Sequence, residues 1–253
     1  MKKIKVVFLH LLPIAGDIPH NQSLVEKALK QLSNKNIDWV ITPELAVSGL
    51  QFAQEIGTEW ISSQPDDWLG DFTSIVHSVQ ATTFIGCPER EDDGLFNSVF
   101  VIHSNGQIIG KQQKINVHSD MWATSGKESA PIKVEDVQVG VMICADAYTE
   151  NIAASLATQG AEILIAPSSW GPGLYGPNGE WEQRSLDTGL PIFVCNRTGE
   201  DATVSFWEAE SSVIQNGKKL LSYSSRQSSI LVFEWDVENM ELLSPTFQVE
   251  IIR

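Results

Sequence analysis

Residues 140–150 read GVMICADAYTE. With the preceding Val137-Gln138-Val139, the apolar run Val141-Met142-Ile143 reads as a buried strand that delivers Cys144 at its end. A helix is expected next, over TENIAASLATQGA, with Thr149 in the N-cap position and Gly160 as its stop. Glu162-Ile163-Leu164-Ile165-Ala166-Pro167 then forms a second apolar strand. Strand, helix and strand in this order, with strands apolar throughout, belong to sheets covered on both faces by other layers.

The same alternation extends in both directions. IKVVFLH (residues 4–10) is a buried strand, and Leu24, Val25, Ala28, Leu29 and Leu32 fall at the spacing of a one-sided helix. IDWVITP (37–43) and TTFIGCP (82–88) are strands, and 67–80 is helical. Asn105-Gly106 and Asn216-Gly217 mark two hairpins, the first inside SVFVIHSNGQIIGKQQ. GEWEQRSLDTG is a helix before the strand LPIFVCN, and strands dominate beyond residue 204. The hairpins make the sheets mixed, which disfavours a purely parallel doubly wound arrangement. No linker, low-complexity segment or internal repeat divides the 253 residues, so a single domain over 1–253 is expected.

Composition narrows the function. A formal net charge of −15 repels phosphate backbones and anionic lipid, so neither nucleic acid nor a membrane surface is an expected partner. The opening MKKIKVVFLHLLPIAG imitates a signal peptide, but His10 and Pro13 interrupt it and no small-x-small cleavage site follows. No run approaches the ~18 apolar residues of a membrane span. A cytoplasmic protein is expected. Three widely spaced cysteines and five scattered histidines supply neither a disulfide framework nor a metal-ligand pattern, so no metal is expected.

Three reactive residue types stand at three strand ends: Glu44 in WVITPELAVSG, Lys114 in GKQQKINVH, and Cys144. Sites in layered α/β proteins gather outside strand termini, where loops meet. A carboxylate can take the proton of a thiol, and a lysine with a backbone N–H can stabilise the anion formed when sulfur attacks an amide or nitrile carbon. The N–H of Ala145 is placed for that task. Taken singly, each residue has an ordinary alternative: a packed thiol, a solvated carboxylate, a surface lysine. Periodicity does not decide between these readings.

The ordered motifs do. Pro43-Glu44-Leu45-Ala46-Val47-Ser48-Gly49, the lysine after the hairpin in GKQQKINVH, and Gly140-Val141-Met142-Ile143-Cys144-Ala145-Asp146 together resemble the nitrilase superfamily of carbon–nitrogen hydrolases. GAEILIAPSSW and RSLDTGLPIFVCNRTG extend the resemblance to about residue 240. It implies a four-layer αββα sandwich with mixed sheets, built by two protomers packing their helical faces, and therefore a homodimer or an assembly of dimers. It implies Cys144 as nucleophile, Glu44 as general base and Lys114 as the charge that stabilises the tetrahedral intermediate. It implies a thioester acyl-enzyme, a small-molecule amide or carbamoyl substrate, and no cofactor.

The chain departs from the family pattern at three places. Glu150 stands one residue early and lacks the usual preceding proline. No glutamate follows Lys114 where a second one is usual, and Asp120 is the nearest acidic candidate to support the lysine. Ala145-Asp146 replaces the Trp-Glu usual in nitrile hydrolases, which favours an amidase. Trp170 has two readings: a substrate wall, or a prop beneath the loop GPGLYGPNG, whose four glycines fit no phosphate-cradling pattern. Cys87 and Cys195 are expected to be core thiols. The alternative functions are a catalytically silent homologue that binds a ligand or partner, or a nitrile hydrolase.

Overall fold

The computed structural model describes residues 2–118 and 120–252. The chain opens with β1 (Lys3–His10), α1 (Ile18–Lys30), β2 (Trp39–Ile41), the short α2 (Phe52–Ile56), α3 (Asp67–Val79), β3 (Thr82–Glu91), β4 (Gly94–Ile102) and β5 (Ile108–Gln113). Then come β6 (Ile132–Val134), β7 (Val137–Val141), α4 (Glu150–Thr158), β8 (Ile163–Ser168), α5 (Glu180–Thr188), β9 (Ile192–Asn196), β10 (Ser211–Gln215) and β11 (Lys218–Tyr223). The last strands are β12 (Ser229–Asp236), β13 (Glu241–Leu242) and β14 (Gln248–Ile251).

These strands form two mixed sheets. One has the order β13-β12-β1-β2-β3-β4-β5, with β14 also paired to β12, and the other runs β11-β10-β9-β8-β7-β6. The parallel pairs β1–β2, β2–β3, β7–β8 and β8–β9 are the crossover units, and the remaining pairs are antiparallel.

β1 shows how one strand serves two layers. Val6, Val7, Phe8 and Leu9 are fully buried, because successive side chains leave opposite faces of the sheet. Val6 and Phe8 meet the second sheet in one core, where the Phe8 and Phe193 rings lie 6.5 Å apart. Val7 and Leu9 meet α1 and α3 in the other, with Val25, Leu29 and Phe72. The capping carboxylates Asp17 and Asp66 accept the backbone N–H of His20 (3.2 Å) and Leu69 (2.8 Å), which starts both helices at the same sheet face. α4 and α5 cover the outer face of the second sheet through Ile152, Leu156 and Trp181.

The four layers are therefore helices, sheet, sheet, helices, and all four come from one chain. This corrects the expectation that two protomers build the sandwich: each sheet already finds its helices within the chain, so pairing of protomers is not what makes the layers. A second difference lies at the strand that leads to Cys144. β7 ends at Val141, and Cys144 opens a 3-10 turn over Cys144–Tyr148. Thr149 occupies the N-cap position of α4 but makes no side-chain cap; its hydroxyl instead accepts Asn116 Nδ2 at 3.1 Å. Among the described residues no helix is long and apolar enough to cross a membrane.

Candidate active site

β2, β5 and β7 end at the same edge of the sandwich, and their terminal loops meet over one floor. After β2 the chain turns sharply, with Leu45 at φ +49°, so Glu44 points between the sheets and is fully buried. The turn is packed from behind by Gly86 on β3, whose N–H donates to Thr42 Oγ1 at 3.0 Å. A Cβ at Gly86 would stand 2.6 Å from the Pro43 carbonyl oxygen and 2.8 Å from Leu45 N. Only glycine lets the strand approach this closely.

Lys114 follows β5, and its backbone N–H donates to the Asn97 carbonyl at 2.8 Å. Its side chain, 1% exposed, points inward, and Nζ donates to Glu44 Oε1 at 2.7 Å and Asp120 Oδ2 at 2.8 Å. Asn97 on β4 bridges the same two oxygens through Nδ2, at 2.8 and 2.9 Å. The other Glu44 oxygen accepts the Ser169 N–H at 3.1 Å, and Ser169 Oγ donates to the Glu44 carbonyl at 2.9 Å. Lys114 is thus held from two sides by carboxylates, a geometry in which a buried ammonium keeps its charge.

Cys144 comes from the opposite sheet. It adopts φ +49°, a conformation that costs a non-glycine residue about 1–3 kcal/mol and swings the side chain out of the strand line. The thiol lies against the Glu44 carboxylate and the Ser169 amide. Asp146, two residues on and buried, holds the turn: it accepts the N–H of Ile115 (3.1 Å), Asn116 (2.7 Å) and Ile143 (2.9 Å). One carboxylate thereby ties the loop after Lys114 to the loop that carries Cys144.

Electrostatics follow from burial and these partners. Burial pushes the Cys144 thiol well above its ordinary value, and the Glu44 charge adds to this, while Lys114 pulls it down. Burial raises Glu44, opposed by Lys114 and aided by Asp120. For Lys114, burial works against the ammonium, but Glu44 and Asp120 outweigh it and hold the pKa well above that of a free lysine. Burial lifts Asp146 to about 6, against the donors at Asn116 and Ile143. At neutral pH the resting sulfur is a thiol beside a carboxylate with raised proton affinity. Such a pair can exchange a proton when a substrate arrives.

Every site residue singled out in the sequence lies in or beside this assembly. Ala145 borders the cavity over the thiol, and its carbonyl accepts Asn116 Nδ2 at 3.0 Å. Trp170 borders the cavity and also reaches beneath the glycine-rich loop. Its ring lines the cavity and packs on Tyr148 and Trp181 at 4.7 and 5.0 Å, while Nε1 donates to the Tyr175 carbonyl in the glycine-rich loop at 2.7 Å. Glu150 is exposed at the start of α4, and Cys87 and Cys195 are buried. Asn97, Ser169 and the bracing role of Asp146 escaped the sequence reading. The one available signal was the polar pair Asn97-Ser98 interrupting an apolar strand. Among the described residues no three His, Cys, Asp or Glu side chains converge to hold a metal ion.

A cavity of about 800 Å³ opens above the floor, within the size range of small-molecule sites. Comparison with known proteins agrees with the motifs. The family model of the carbon–nitrogen hydrolases matches residues 10–242. A probable nitrilase of Schizosaccharomyces pombe is 22% identical over 97% of this chain and 93% of its own length. The crystal structure of Saccharomyces cerevisiae Nit3, a nitrilase-superfamily member, superposes with a TM-score of 0.80 at 21% identity, covering 94% of this chain and 93% of that one. A variant of a Nesterenkonia sp. amidase, with the acetamide moiety of fluoroacetamide added covalently to its active-site cysteine, gives 0.80 at 16% identity, covering 94% and 92%. Such distant likenesses speak for the fold, and the family match spans nearly the whole sandwich that carries the floor. The chain therefore belongs to the carbon–nitrogen hydrolase family of the nitrilase superfamily.

Proposed function

We propose that the protein is a thiol amidase that cleaves a non-peptide C–N bond of a small amide or carbamoyl compound. The observation that carries this reading is the shared contact of Glu44: one oxygen on the Lys114 ammonium at 2.7 Å, the other side of the carboxylate against the Cys144 thiol. As Sγ attacks the carbonyl carbon, Glu44 takes the thiol proton. The carbonyl oxygen becomes an anion, stabilised by Lys114 Nζ and the Ala145 N–H. Protonated Glu44 then delivers its proton to the leaving nitrogen, the C–N bond breaks, and a thioester remains. Water, deprotonated by the same carboxylate, attacks the thioester and releases the acid and the free thiol. Asp120 and Asn97 act as positioning residues that hold Lys114 and Glu44 in register.

The test is ammonia release from a panel of amides, carbamoyl compounds and matched nitriles, with the Cys144→Ala protein as blank. Turnover of amides by the wild type alone is expected, since loss of a nucleophile removes several orders of magnitude in rate. Equal turnover by well-folded Cys144→Ala would overturn the mechanism, and a preference for nitriles over amides of the same carbon skeleton would overturn the amidase assignment.

A further inference from the structure

We infer that the cavity takes an uncharged, apolar acyl group, so that the substrate is a neutral aliphatic or aromatic amide and not one whose acyl chain carries a carboxylate or an ammonium. This rests on the amidase reading above and names the substrate class for that site. The walls above Cys144 are mostly apolar, from Leu50, Tyr148, Trp170 and Leu174, with the Thr203 and Ser205 hydroxyls beside them. Among the described lining residues, the side chains with a full charge are Glu44 and Lys114, at the floor and bound to each other. His118 is exposed, at the rim. The Asn116 NH2 group is already spent on the Ala145 carbonyl and Thr149 Oγ1, so it offers no donor to a carboxylate tail.

No described guanidinium is free to reach in. Arg197 lies closest in the chain to a wall segment, yet it is fully buried. It is held by Asp201 at 2.9 Å, by the Pro13 and Thr198 carbonyls, and by the Phe206 ring at 4.3 Å. Arg184 pairs with Asp187 at 3.0 Å, and Arg90 donates to the Ile61 carbonyl at 2.8 Å. Arg226 lies over the Trp207 ring. A carboxylate tail entering this cavity gives up its hydration and meets no unpaired cation among the described lining side chains. An ammonium tail loses hydration likewise, and the nearby Glu180 that acts on Tyr148 stands outside the lining. An alkyl or aryl tail gains by burial. The formal charge of −15 adds a repulsive field against anionic tails.

The experiment compares kcat/KM at pH 7.5 for hexanamide, adipamate and 6-aminohexanamide on the intact protein, subtracting the Cys144→Ala rate. In parallel, Cys144 is labelled with iodoacetyl reagents carrying a butyl or a carboxyethyl tail, each rate divided by that with a small free thiol. The expected result is at least about 100-fold preference for hexanamide over either charged amide. A rise of about fourfold per added methylene from acetamide upward is also expected, as is faster labelling by the butyl reagent. A charged amide processed within tenfold of hexanamide overturns the inference. If no amide gives Cys144-dependent ammonia, the amidase reading falls and labelling alone decides: butyl preference upholds the uncharged cavity, and equal or carboxyethyl-biased labelling overturns it.

Discussion

Replacing Glu44 by Gln tests the floor at its most connected atom pair. Oε1 accepts Lys114 Nζ and Asn97 Nδ2 at 2.7 and 2.8 Å, and Oε2 accepts Ser169 N–H at 3.1 Å. A glutamine amide has one acceptor oxygen and one donor nitrogen. Nitrogen at the Oε1 position would confront two donors, one of them charged, so the oxygen stays there and the NH2 turns toward the Ser169 N–H and the thiol. One buried backbone donor is left unsatisfied, at about 1–3 kcal/mol. Lys114 keeps Asp120, so the larger loss of a stripped buried ion pair is not reached. For a chain of this size the midpoint of thermal unfolding falls by roughly 2–12 °C. The thiol has lost its proton acceptor, so kcat at saturating amide falls by about 10²–10⁴. In the wild type the acid limb of kcat/KM lies above the ordinary carboxylate range, because burial raises Glu44, and in Glu44→Gln that limb disappears. Calorimetry and ammonia release from pH 5 to 9 provide the readout. A Glu44→Gln protein with kcat within tenfold of wild type and an unchanged acid limb would refute the role of Glu44 as proton acceptor.

Three further outcomes follow from the geometry. Gly86→Ala drives a methyl into the Pro43 carbonyl and Leu45 N, so the Glu44 turn must move; about 1–3 kcal/mol of stability and at least tenfold in kcat are expected to be lost, and a fully active variant would show that the turn absorbs the methyl. The carboxyl of Asp146 holds its proton in the fold up to about pH 6 but in the unfolded chain only to about 3.8, so its contribution to stability is complete below 3.8 and lost as pH rises through 6. That loss is on the order of 3 kcal/mol (a rise of about 2.2 in pKa at ~1.36 kcal/mol each), and urea midpoints of Asp146→Asn from pH 4 to 7 should lack it; parallel curves for both proteins would refute the assignment. From the family likeness, a homodimer or larger assembly is expected in solution, and light scattering that finds only a 27.9 kDa species at micromolar concentration contradicts it.

Strand-and-helix alternation was legible because most of these elements declare themselves through burial. Val6–Leu9 and Ile163–Ala166 are apolar throughout since both faces are covered, and Asn105-Gly106 and Asn216-Gly217 turn their hairpins as read. The hairpin joining β6 and β7 was not seen: it turns at Glu135, with φ +54°, and its strands are three and five residues long. The placement of β1 between β2 and β12 was equally hidden, since neither run of residues states which edge the other will meet. Within the site, Glu44, Lys114 and Cys144 emerged through ordered motifs. Asn97 and Ser169 did not, because a polar residue in a strand acquires a task only when the opposing sheet brings it a partner. Asp146 stood in the quoted motif, yet its three backbone donors lie partly on a loop thirty residues upstream.

The pairing of β1 with β12 sets a schedule for synthesis. His10 faces Ser229 and Lys3 faces Asp236, so at least 219 residues (229 − 10) must be made between one strand and its neighbour. At ~5–20 residues per second that is a wait of roughly 10–45 s. Throughout it, Val6-Val7-Phe8-Leu9 has a vacant edge, the kind of surface that pairs with whatever strand comes near. Chains stalled before Ser229 should remain open to protease at β1 and complete chains should not; equal protection would place the closure on another pairing. The other sheet closes from neighbours in sequence, but this one closes last, and a slower ribosome prolongs the interval in which the first strand stands unguarded.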